Sequence, residues 1–541
     1  MKKRILTAVV AVVAFAGVHA QSGLTSEEMA VRNLQRAIEL TDGIFDKMFT
    51  VSGGKLAFYY NATTGKASDI VSVWEYTSAL EATNSVLEGL TALKESQPEI
   101  YEANYSRYVR RFSDLYKGLQ YYRGKYTDSK PLISYTGPNA WANVYGVHRA
   151  NSMGAANVQG IENVYDDQMW IIRELLRAYK VTGVENYLNM AENLAAYVLD
   201  GWDCNLKADG TEYGGITWGP GYTSKHSCSN GPLISPLVWL SEIYSEGERA
   251  DADVTYYALD KDGRRYEVTK KKGEYYLDFA RKVFDWQYNT LRDNGTGVFW
   301  DAAWASTGDI TYREIDGVKY RVHLDVGGGG GDKWTYNTGV MLSGAADLYR
   351  VTGEQAYLTQ LKDMGLKAHG HFSRVVRADG VRYTQMLYAK NNSTGCNGTP
   401  WFNDVLERGY IAGAEFVETM KGYVEEEQKC LDYAYDNHQI DGFMPIDLIN
   451  GWNDSDASNP EENKIHVMYS LSRASEYGMM VKFQASLTGI KTVETEKKTD
   501  GRVDVYTVDG RHVRSSVDRN DATQGLQRGI YLVGGEKIAV R

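Results

Sequence analysis

Two consecutive aspartates, Asp166 and Asp167, begin an apolar helical segment within the string NVYDDQMW at residues 163–170. Consecutive helical residues project about 100° apart, so carboxylates at adjacent positions can reach different sides of one small ligand. Repulsion between the two like charges favours a proton on one member of the pair, which is the state that a general acid needs. The pair therefore predicts acid–base or nucleophilic catalysis at the start of a helix.

The spacing of the two carboxyl groups also indicates a reaction type. Glycosidases that retain the anomeric configuration hold two carboxyl groups about 5–5.5 Å apart, whereas inverting enzymes need about 6.5–9.5 Å. Short side chains at adjacent positions favour the smaller separation and hence retention. The alternative is that Asn163 and Asp166 form a capping box and that the acids only complement the helix dipole. Trp170, one turn below Asp166, makes a solvated helix end less favourable.

The composition favours a neutral ligand with flat apolar faces. The formal net charge is −11 and no basic stripe is present, which argues against nucleic acid or anionic lipid as a partner. The chain contains 40 Tyr, 12 Trp and 13 Phe, and such rings pack against the C–H faces of sugars. We therefore expect a polysaccharide or oligosaccharide substrate and a monomeric protein.

Residues 1–20 have the pattern of a secretory signal peptide. Lys2, Lys3 and Arg4 precede an apolar run that is too short to span a bilayer and that ends at a small-x-small site before Gln21. No other segment is long and apolar enough to be a transmembrane helix. We expect an exported protein located in the periplasm, at the cell surface or in the medium.

The four cysteines do not have the spacing of a zinc site, and we predict neither a metal nor a cofactor. An oxidising compartment permits disulfides, and proximity in the sequence favours the pairs Cys204–Cys228 and Cys396–Cys430. Free thiols remain the alternative.

Helical periodicity extends from about residue 26 to 487 and predicts twelve helices. They are expected at 26–50, 69–94, 101–123, 163–182, 184–200, 228–245, 274–292, 334–352, 354–371, 400–420, 421–437 and 464–486. The strings YKVTG and YRVTG, ending at Gly183 and Gly353, are each followed by Tyr-Leu and predict two equivalent helical hairpins with glycine C-caps. In a third, degraded copy, an insertion at 246–273 contains a predicted β-hairpin.

Repeated helical hairpins either stack as an open array or close into a ring. Closure is favoured because long loops rich in Trp, Gly and Asp would cover a central cavity. These loops lie at 124–162, 203–227, 293–333 and 442–463. The predicted fold class is all-α, an (α/α)6 barrel, and an open helical array of sugar-binding type is the alternative.

After residue 488 the pattern changes to alternating strands around Asp509-Gly510 and Gly534-Gly535. We predict a signal peptide at 1–20, a catalytic domain at 21–488 and a small C-terminal β module at 489–541. The pattern DGR…GLQRGIYLV…KIAVR resembles the sorting or attachment modules of exported Bacteroidetes proteins, so no catalytic role is expected for it.

Five strings in order resemble glycoside hydrolase family 76, the endo-α-1,6-mannanases, over about residues 26–487. They are YDDQMW, Trp74-Glu75-Tyr76, GGITWGPGYTSKHSCSNGP at 214–232, GVFWDA at 297–302 and TYNTGVMLSGAADLYRVTG at 335–353. The resemblance implies an (α/α)6 barrel and retaining hydrolysis of mannan backbones by an adjacent aspartate pair. The sequence departs from the family pattern in His226, where an asparagine is expected, in the insertion and in GGGGGD at 327–332. A glycine run beside a subsite indicates a mobile or closely approaching backbone.

The resemblance also implies a role for each site residue. Asp166 would be the nucleophile, and Asp167 would protonate the leaving oxygen and then activate water. The implied substrate-binding residues are Trp74, Trp170, Trp218, Asn230, Asp301, Tyr336 and Asn337.

Two other functions are compatible with parts of the sequence. A non-catalytic helical-repeat protein of an outer-membrane polysaccharide uptake system would use the same aromatic residues without needing paired carboxylates. A glucuronyl hydrolase would need basic subsites, for which Lys225 is the main candidate, and an epimerase would need histidine pairs, which the nine scattered histidines do not supply.

Overall fold

The structure is a computed structural model. It describes residues 23–127, 140–305, 309, 311–315, 317–322, 326–386, 400–452, 464–487, 502–507, 512–519, 521–526, 528–533 and 536–540. The chain divides into two compact units. One spans Met29–Phe483, and the other contains both chain ends, up to Glu28 and from Gln484. The predicted signal peptide lies outside the described residues, and the predicted domain boundary at residue 488 stays a prediction.

Twelve α-helices are present in the described part of the chain, as the periodicity predicts. They are α1 Ser26–Met48, α2 Val73–Ala92, α3 Pro98–Leu119, α4 Tyr165–Thr182, α5 Glu185–Leu199, α6 Ile234–Ile243, α7 Lys272–Leu291, α8 Thr335–Thr352, α9 Gln355–Phe372, α10 Pro400–Ala414, α11 Glu418–Asn437 and α12 Val467–Leu487. The largest differences concern α6, which a 3-10 turn at Gly231–Leu233 precedes, and α10, which ends six residues earlier than predicted.

The helices alternate between two environments. Most residues of α2, α4, α8 and α10 are buried, whereas α3 and α9 bury one face each. Among the buried helices, α2 packs against α4, α4 against α6, α6 against α8, and α8 against α10. The hydroxyls of Ser475 in α12 and Ser85 in α2 are hydrogen-bonded at 3.0 Å. Helices that are apolar on several sides therefore form an inner layer, and the amphipathic helices pack outside it.

The two repeated strings end their helices in the same way. Gly183 and Gly353 follow α4 and α8 with φ of 69° in each case, and each N–H donates to the carbonyl four residues earlier, that of Tyr179 or Tyr349. This left-handed conformation is accessible to glycine at little cost. The predicted pair of equivalent hairpins, α4–α5 and α8–α9, is thereby confirmed.

Short strands form hairpins between the helices. They are β1 Phe49–Thr50, β2 Lys55–Leu56, β3 Tyr59–Asn61, β4 Lys66–Ser68, β5 Arg123–Thr127, β6 Ala140–Tyr145, β7 Lys225–His226, β8 Asp253–Leu259, β9 Arg265–Lys271, β10 Ala302–Ala303, β11 Tyr312–Ile315, β12 Val318–Arg321, β13 Ser373–Ala378, β14 Val381–Met386 and β15 Ile465–His466. β8 and β9 pair antiparallel from Asp253↔Lys271 to Leu259↔Arg265, which confirms the predicted hairpin in the insertion. β7 pairs with β10 and brings His226 opposite Ala302, next to Asp301.

The second unit contains an antiparallel four-stranded sheet. Its strands are β16 Arg502–Thr507, β17 His512–Asp518, β18 Gly529–Val533 and β19 Glu536–Val540, in the order β17-β16-β18-β19. Val505, Ala522 and Val533 form its buried core. The strands match the sequence prediction, and the two predicted turns at 509–510 and 534–535 lie outside the described residues.

The disulfide prediction is wrong for both pairs, because each pair includes a cysteine that is a free thiol. Cys204, Cys228 and Cys430 are all free thiols, and Cys430 donates a hydrogen bond to the carbonyl of Thr384 at 3.4 Å. Cys396 lies outside the described residues. In the part of the chain that the structure describes, no helix has the length and apolar character needed to cross a membrane.

Candidate active site

The N-terminal ends of four inner helices carry the predicted site. Trp74 lies in the first turn of α2, Asp166 and Asp167 in the first turn of α4, Tyr336 in that of α8, and Phe402 in that of α10. Free backbone N–H groups and the positive end of each helix dipole are found at such ends, which favours negative charge in ligands and side chains.

Asp166 is a partly buried carboxylate that several donors contact. Its Oδ2 accepts a hydrogen bond from the indole Nε1 of Trp218 at 3.2 Å, and its Oδ1 accepts one from the backbone N–H of Asp167 at 3.0 Å. Burial raises the pKa of Asp166, while hydrogen bonds from Trp218, the thiol of Cys228 and backbone N–H groups lower it. These donors stabilise the ionised form against burial.

Asp167 lacks such compensation. Its side chain is only 7% exposed, and burial together with the negative charges of Asp166 and Glu75 raises its pKa well above the ordinary value. Glu75 is itself held in place, because its Oε2 accepts hydrogen bonds from both the backbone N–H (2.9 Å) and the hydroxyl of Ser72. Burial thus raises the pKa of both acids, but the donors to Asp166 limit the rise there, so Asp167 holds its proton more tightly than Asp166.

Backbone contacts hold the loop that carries Trp218 against the first residues of α4. The N–H of Tyr165 donates to the carbonyl of Trp218 at 2.8 Å, and a Cβ on Gly219 would come within 2.2 Å of the carbonyl oxygen of Asn163. Only glycine permits this close approach. The indole is thus placed against Asp166 by the backbone and not by chance side-chain packing.

A third acid lies beside the pair. Asp301 accepts a hydrogen bond from the hydroxyl of Tyr336 at 3.0 Å, and Nδ1 of His226 lies 3.8 Å from its other oxygen. Burial, more than the nearby charges of Asp332 and Asp166, raises the pKa of Asp301 to about 6, although the Tyr336 hydrogen bond lowers it. Burial lowers the pKa of His226 to about 4, so this imidazole is neutral at pH 7 and acts as a polar group.

An aromatic cluster lies next to the acids on the side of α2, α8 and α10. Phe402 contacts Trp74, Trp334 and Tyr336 with ring centroids 6.2, 5.3 and 4.7 Å away, and Trp74 meets Trp401 edge-on at 5.8 Å. Trp74, Trp334 and Phe402 are each partly exposed. Flat apolar surfaces beside carboxylates suit a ligand with both C–H faces and hydroxyl groups, as in a sugar.

Three of the predicted binding residues are buried, and their predicted contact with substrate stays a prediction. Trp170 is 4% exposed and packs edge-on against Trp401 at 4.5 Å. Asn230 is fully buried, donates to the carbonyls of Ile216 and His226, and accepts from the N–H of Ile216. Asn337 is fully buried and donates to the carbonyl of Phe299 at 3.3 Å. The two asparagines thus hold the backbone of neighbouring loops.

The capping prediction for Asn163 is also wrong. Val164 is the N-cap of α4, and no side chain caps this end. The side-chain amide of Asn163 donates to the carbonyl of Val158 at 2.8 Å. The first-turn acids are therefore not needed for a capping box and are available for chemistry.

Sequence reasoning did not assign a role to Glu75, Cys228 or Phe402. Glu75 reaches Asp167 from α2, and the thiol of Cys228 lies within hydrogen-bonding range of Asp166 and Tyr336. Phe402 joins the rings of three other elements. The string WEY carries a signal for Glu75, but its neighbour Asp167 is 92 positions away in the chain, so only tertiary packing shows the contact.

The acids of the cluster can perform proton transfer and nucleophilic attack. Lys225, the basic residue that the sequence suggested for an anionic sugar, is not available to such a ligand. Lys225 is buried and donates to Asp203 and to the carbonyl of Gly214, so its charge is neutralised away from the acids. Among the described residues, no group of three His, Cys, Asp or Glu side chains has the arrangement of a metal site.

The chain is similar in sequence and in fold to known proteins. The family model described as Glycosyl hydrolase family 76 matches residues 139–252 and 264–399, which include the aspartate pair, Trp218, Asp301 and Tyr336. The chain is similar to mannan endo-1,6-alpha-mannosidase DFG5 of Candida albicans, with 23% identity over 37% of this chain and 36% of the relative. It is also similar to DCW1 of Saccharomyces cerevisiae, with 26% identity over 36% of this chain and 32% of the relative. The chain thus spans about a third of the length of these curated relatives.

Solved structures show the same fold. The family 76 glycoside hydrolase (mannosidase) Bt3792 from Bacteroides thetaiotaomicron VPI-5482 aligns with a TM-score of 0.60 at 19% identity, covering 84% of this chain and all of that one. An inactive variant of the alpha-1,6-mannanase GH76A from Salegentibacter sp. HEL1_6 aligns with a TM-score of 0.51 at 18% identity, covering 84% and 99%. In that variant two consecutive aspartates are replaced by asparagine, and it was solved in complex with alpha-1,6-mannotriose.

Proposed function

We propose that this chain is a retaining glycoside hydrolase that cleaves α-1,6-mannosidic bonds within mannan backbones. The observation that carries the proposal is the unequal environment of two adjacent carboxyl groups. Asp166 has hydrogen-bond donors that favour its anion, whereas burial and two neighbouring charges favour the protonated form of Asp167. The names of the curated relatives and of the solved mannanase support the choice of linkage.

In the proposed first step, Asp166 attacks the anomeric carbon of a mannosyl residue and forms a glycosyl–enzyme ester. The bond from that carbon to the glycosidic oxygen breaks, and the oxygen takes the proton of Asp167. In the second step Asp167, now ionised, removes a proton from water while the water oxygen attacks the anomeric carbon. The ester bond breaks, Asp166 leaves as a carboxylate, and the product keeps the configuration of the substrate.

Asp301 and Tyr336 are proposed to bind hydroxyl groups of the sugar next to the pair. Their mutual hydrogen bond fixes both side chains, and Asp301 retains its second oxygen toward His226. Trp74 and Trp218 would contact the pyranose rings on either side. The role of Trp218 is twofold, because its Nε1 also donates to the nucleophile.

We propose that the inner helices form the (α/α)6 barrel that the sequence predicts. The contacts from α2 through α4, α6 and α8 to α10 support it, as does the hydrogen bond between α12 and α2. Burial raises the pKa of Asp404 in α10, and the negative charge of nearby Glu476 in α12 raises it further. Contacts of α12 with α10 and with α2 would then complete the ring of inner helices.

The first experiment is incubation with unbranched α-1,6-mannan, with product sizes and anomeric configuration followed by NMR. A mixture of oligosaccharides that emerges first as the α anomer is expected. Immediate β anomer would mean inversion and would overturn the assigned roles. If no mannan releases oligosaccharides but mannan still binds, the glycan-binding alternative is correct.

Variants then separate the two aspartates. Asp166→Asn should lose turnover of every substrate. Asp167→Asn should still form the glycosyl–enzyme ester from a mannosyl fluoride, whose leaving group needs no protonation, and azide, which needs no general base, should restore turnover of that substrate. Thermal unfolding of both variants serves as the folding control. Equal loss on both substrates in Asp167→Asn would contradict its role as the general acid.

A further inference from the structure

Three rings in successive contact lead from the aspartate pair. The first is Trp218, whose indole donates to Asp166, the second is His226 at a centroid distance of 4.7 Å from Trp218, and the third is Trp304, 6.4 Å from His226. We call these three residues the Trp218 row. Two rings of the row thus link Trp304 to Asp166.

Trp304 differs from the other tryptophans near the acids in its exposure. Its side chain is 49% exposed, whereas Trp170 and Trp401 are almost fully buried. Burial of an apolar ring is favourable, so an exposed tryptophan does not contribute the stabilising free energy that its burial would provide. A single exposed aromatic residue is normal on a protein surface, but Trp304 is also held in place by neighbouring backbone.

The glycine run supplies that support. Ala302 and Gly330 exchange two backbone hydrogen bonds, of 3.1 and 2.8 Å, and the N–H of Gly327 donates to the carbonyl of Trp304 at 3.1 Å. A Cβ on Gly330 would lie 2.9 Å from the Trp304 ring, and one on Gly331, which has φ of 85°, would lie 3.1 Å from it. The glycine backbone thus packs against one side of the indole, and the exposed fraction belongs to the rest of the ring. This is the closely approaching backbone that the sequence of the run allows.

The groups around the exposed ring suit a carbohydrate better than an apolar partner. Asp301 lies beside Gly331, whose Cβ position is 3.3 Å from the Asp301 side chain, and His226 meets Trp304 edge-on. The ring can cover the C–H face of a pyranose while His226 meets one of its hydroxyls, and Asp301 lies between this sugar and the one next to the pair. A protein partner would be expected to need a broader apolar patch.

We propose that Trp304 forms a distal subsite that binds a mannosyl residue of the backbone beyond those adjacent to the cleaved bond. This inference rests on the proposed function and adds the residue that sets chain-length preference. Under this proposal, short oligosaccharides that end before Trp304 gain nothing from it. Longer chains gain binding energy there, which favours cleavage inside the polymer.

The test compares Trp304→Ala with the wild type on α-1,6-mannotriose, α-1,6-mannohexaose and mannan. An aromatic contact worth about 0.5–1.5 kcal/mol corresponds to roughly a 2–13-fold change in binding. We expect kcat/KM for the hexaose and for mannan to decrease by such a factor, mainly because KM rises. The value for the triose should stay within about twofold of that of the wild type. Tyr266→Ala, which removes an exposed ring of β9, is the matched control and should change none of these values.

A second variant tests the support rather than the ring. Gly330→Ala adds a methyl group at 2.9 Å from the indole and should reproduce part of the loss on long substrates. An equal loss on triose and hexaose, or no loss on either, would overturn the distal subsite while leaving the hydrolase proposal intact. Absence of wild-type turnover on all three substrates would instead refute the hydrolase proposal. Mannan binding, compared by calorimetry between wild type and Trp304→Ala, then decides whether the ring holds saccharide.

Discussion

Replacing Trp218 with Phe tests whether the indole keeps the proposed nucleophile ionised. The substitution removes the Nε1–H that donates to Oδ2 of Asp166 at 3.2 Å. A phenyl ring can still pack against Tyr222 and His226, which lie 4.8 and 4.7 Å from the indole. The change therefore removes one donor and largely keeps the aromatic surface.

The size of the effect follows from the type of hydrogen bond. A hydrogen bond to a charged group contributes about 1.5–3 kcal/mol, and about 1.4 kcal/mol corresponds to one pKa unit. Trp218 is partly exposed, so water can replace some of the lost interaction, and a shift of about one unit is expected. The hydrogen bond lowers the pKa of Asp166 in the wild type, so its removal raises that pKa. The acidic limb of the pH–activity profile should then move to higher pH.

The assay is kcat/KM on α-1,6-mannan oligosaccharides measured from pH 3.5 to 9 for the wild type and Trp218→Phe. Tyr222→Phe is the control, because its hydroxyl donates to the carbonyl of Ile161 on the same wall and not to Asp166. The two limbs report apparent pKa values of the coupled pair. An unmoved acidic limb in Trp218→Phe would refute the argument and would point to another group, such as Asp301 with its pKa of about 6.

Two further predictions concern other charges. Glu75→Gln removes a negative charge that raises the pKa of Asp167, so the basic limb of the same profile should move to lower pH, and an unchanged basic limb would exclude this coupling. On α11, burial above all raises the pKa of Glu427 to about 8 from an ordinary 4.5. The folded state therefore binds more protons than the unfolded state between these values, and the free energy of unfolding should fall as pH rises from about 5 to 8.5. The melting temperature of Glu427→Gln should fall less over this pH range than that of the wild type. Exposed Glu425→Gln is the control and should behave like the wild type. Equal falls in Glu427→Gln and the wild type would mean that another group causes the pH dependence.

The helical part of the fold was predictable because the periodicity of apolar residues is local. The start of α6 was not, since Gly231 and Pro232 form a 3-10 turn in a stretch whose apolar residues continue the helical pattern. The β13–β14 hairpin was also missed. Its burial pattern shows little of the clean alternation that identifies a half-buried strand.

The site was predictable only where its residues adjoin in the sequence. Asp166 and Asp167 stand together, and their pairing needed no knowledge of the fold. The burial of Trp170 was not predictable, because α4 is apolar on several sides and periodicity does not say which side faces the cleft. The approach of Glu75 and Phe402 depends on which helices are neighbours, and one sequence does not contain that information.

The free thiols described above bear on how the protein can be made. Cys204, Cys228 and Cys430 hold no covalent link in the native arrangement, so formation of these helices does not depend on oxidation at those positions. Production in a reducing host cytoplasm, with dithiothreitol throughout purification, should give the same native catalytic unit. Reductant would also protect the Cys228 sulfur beside Asp166 from oxidation.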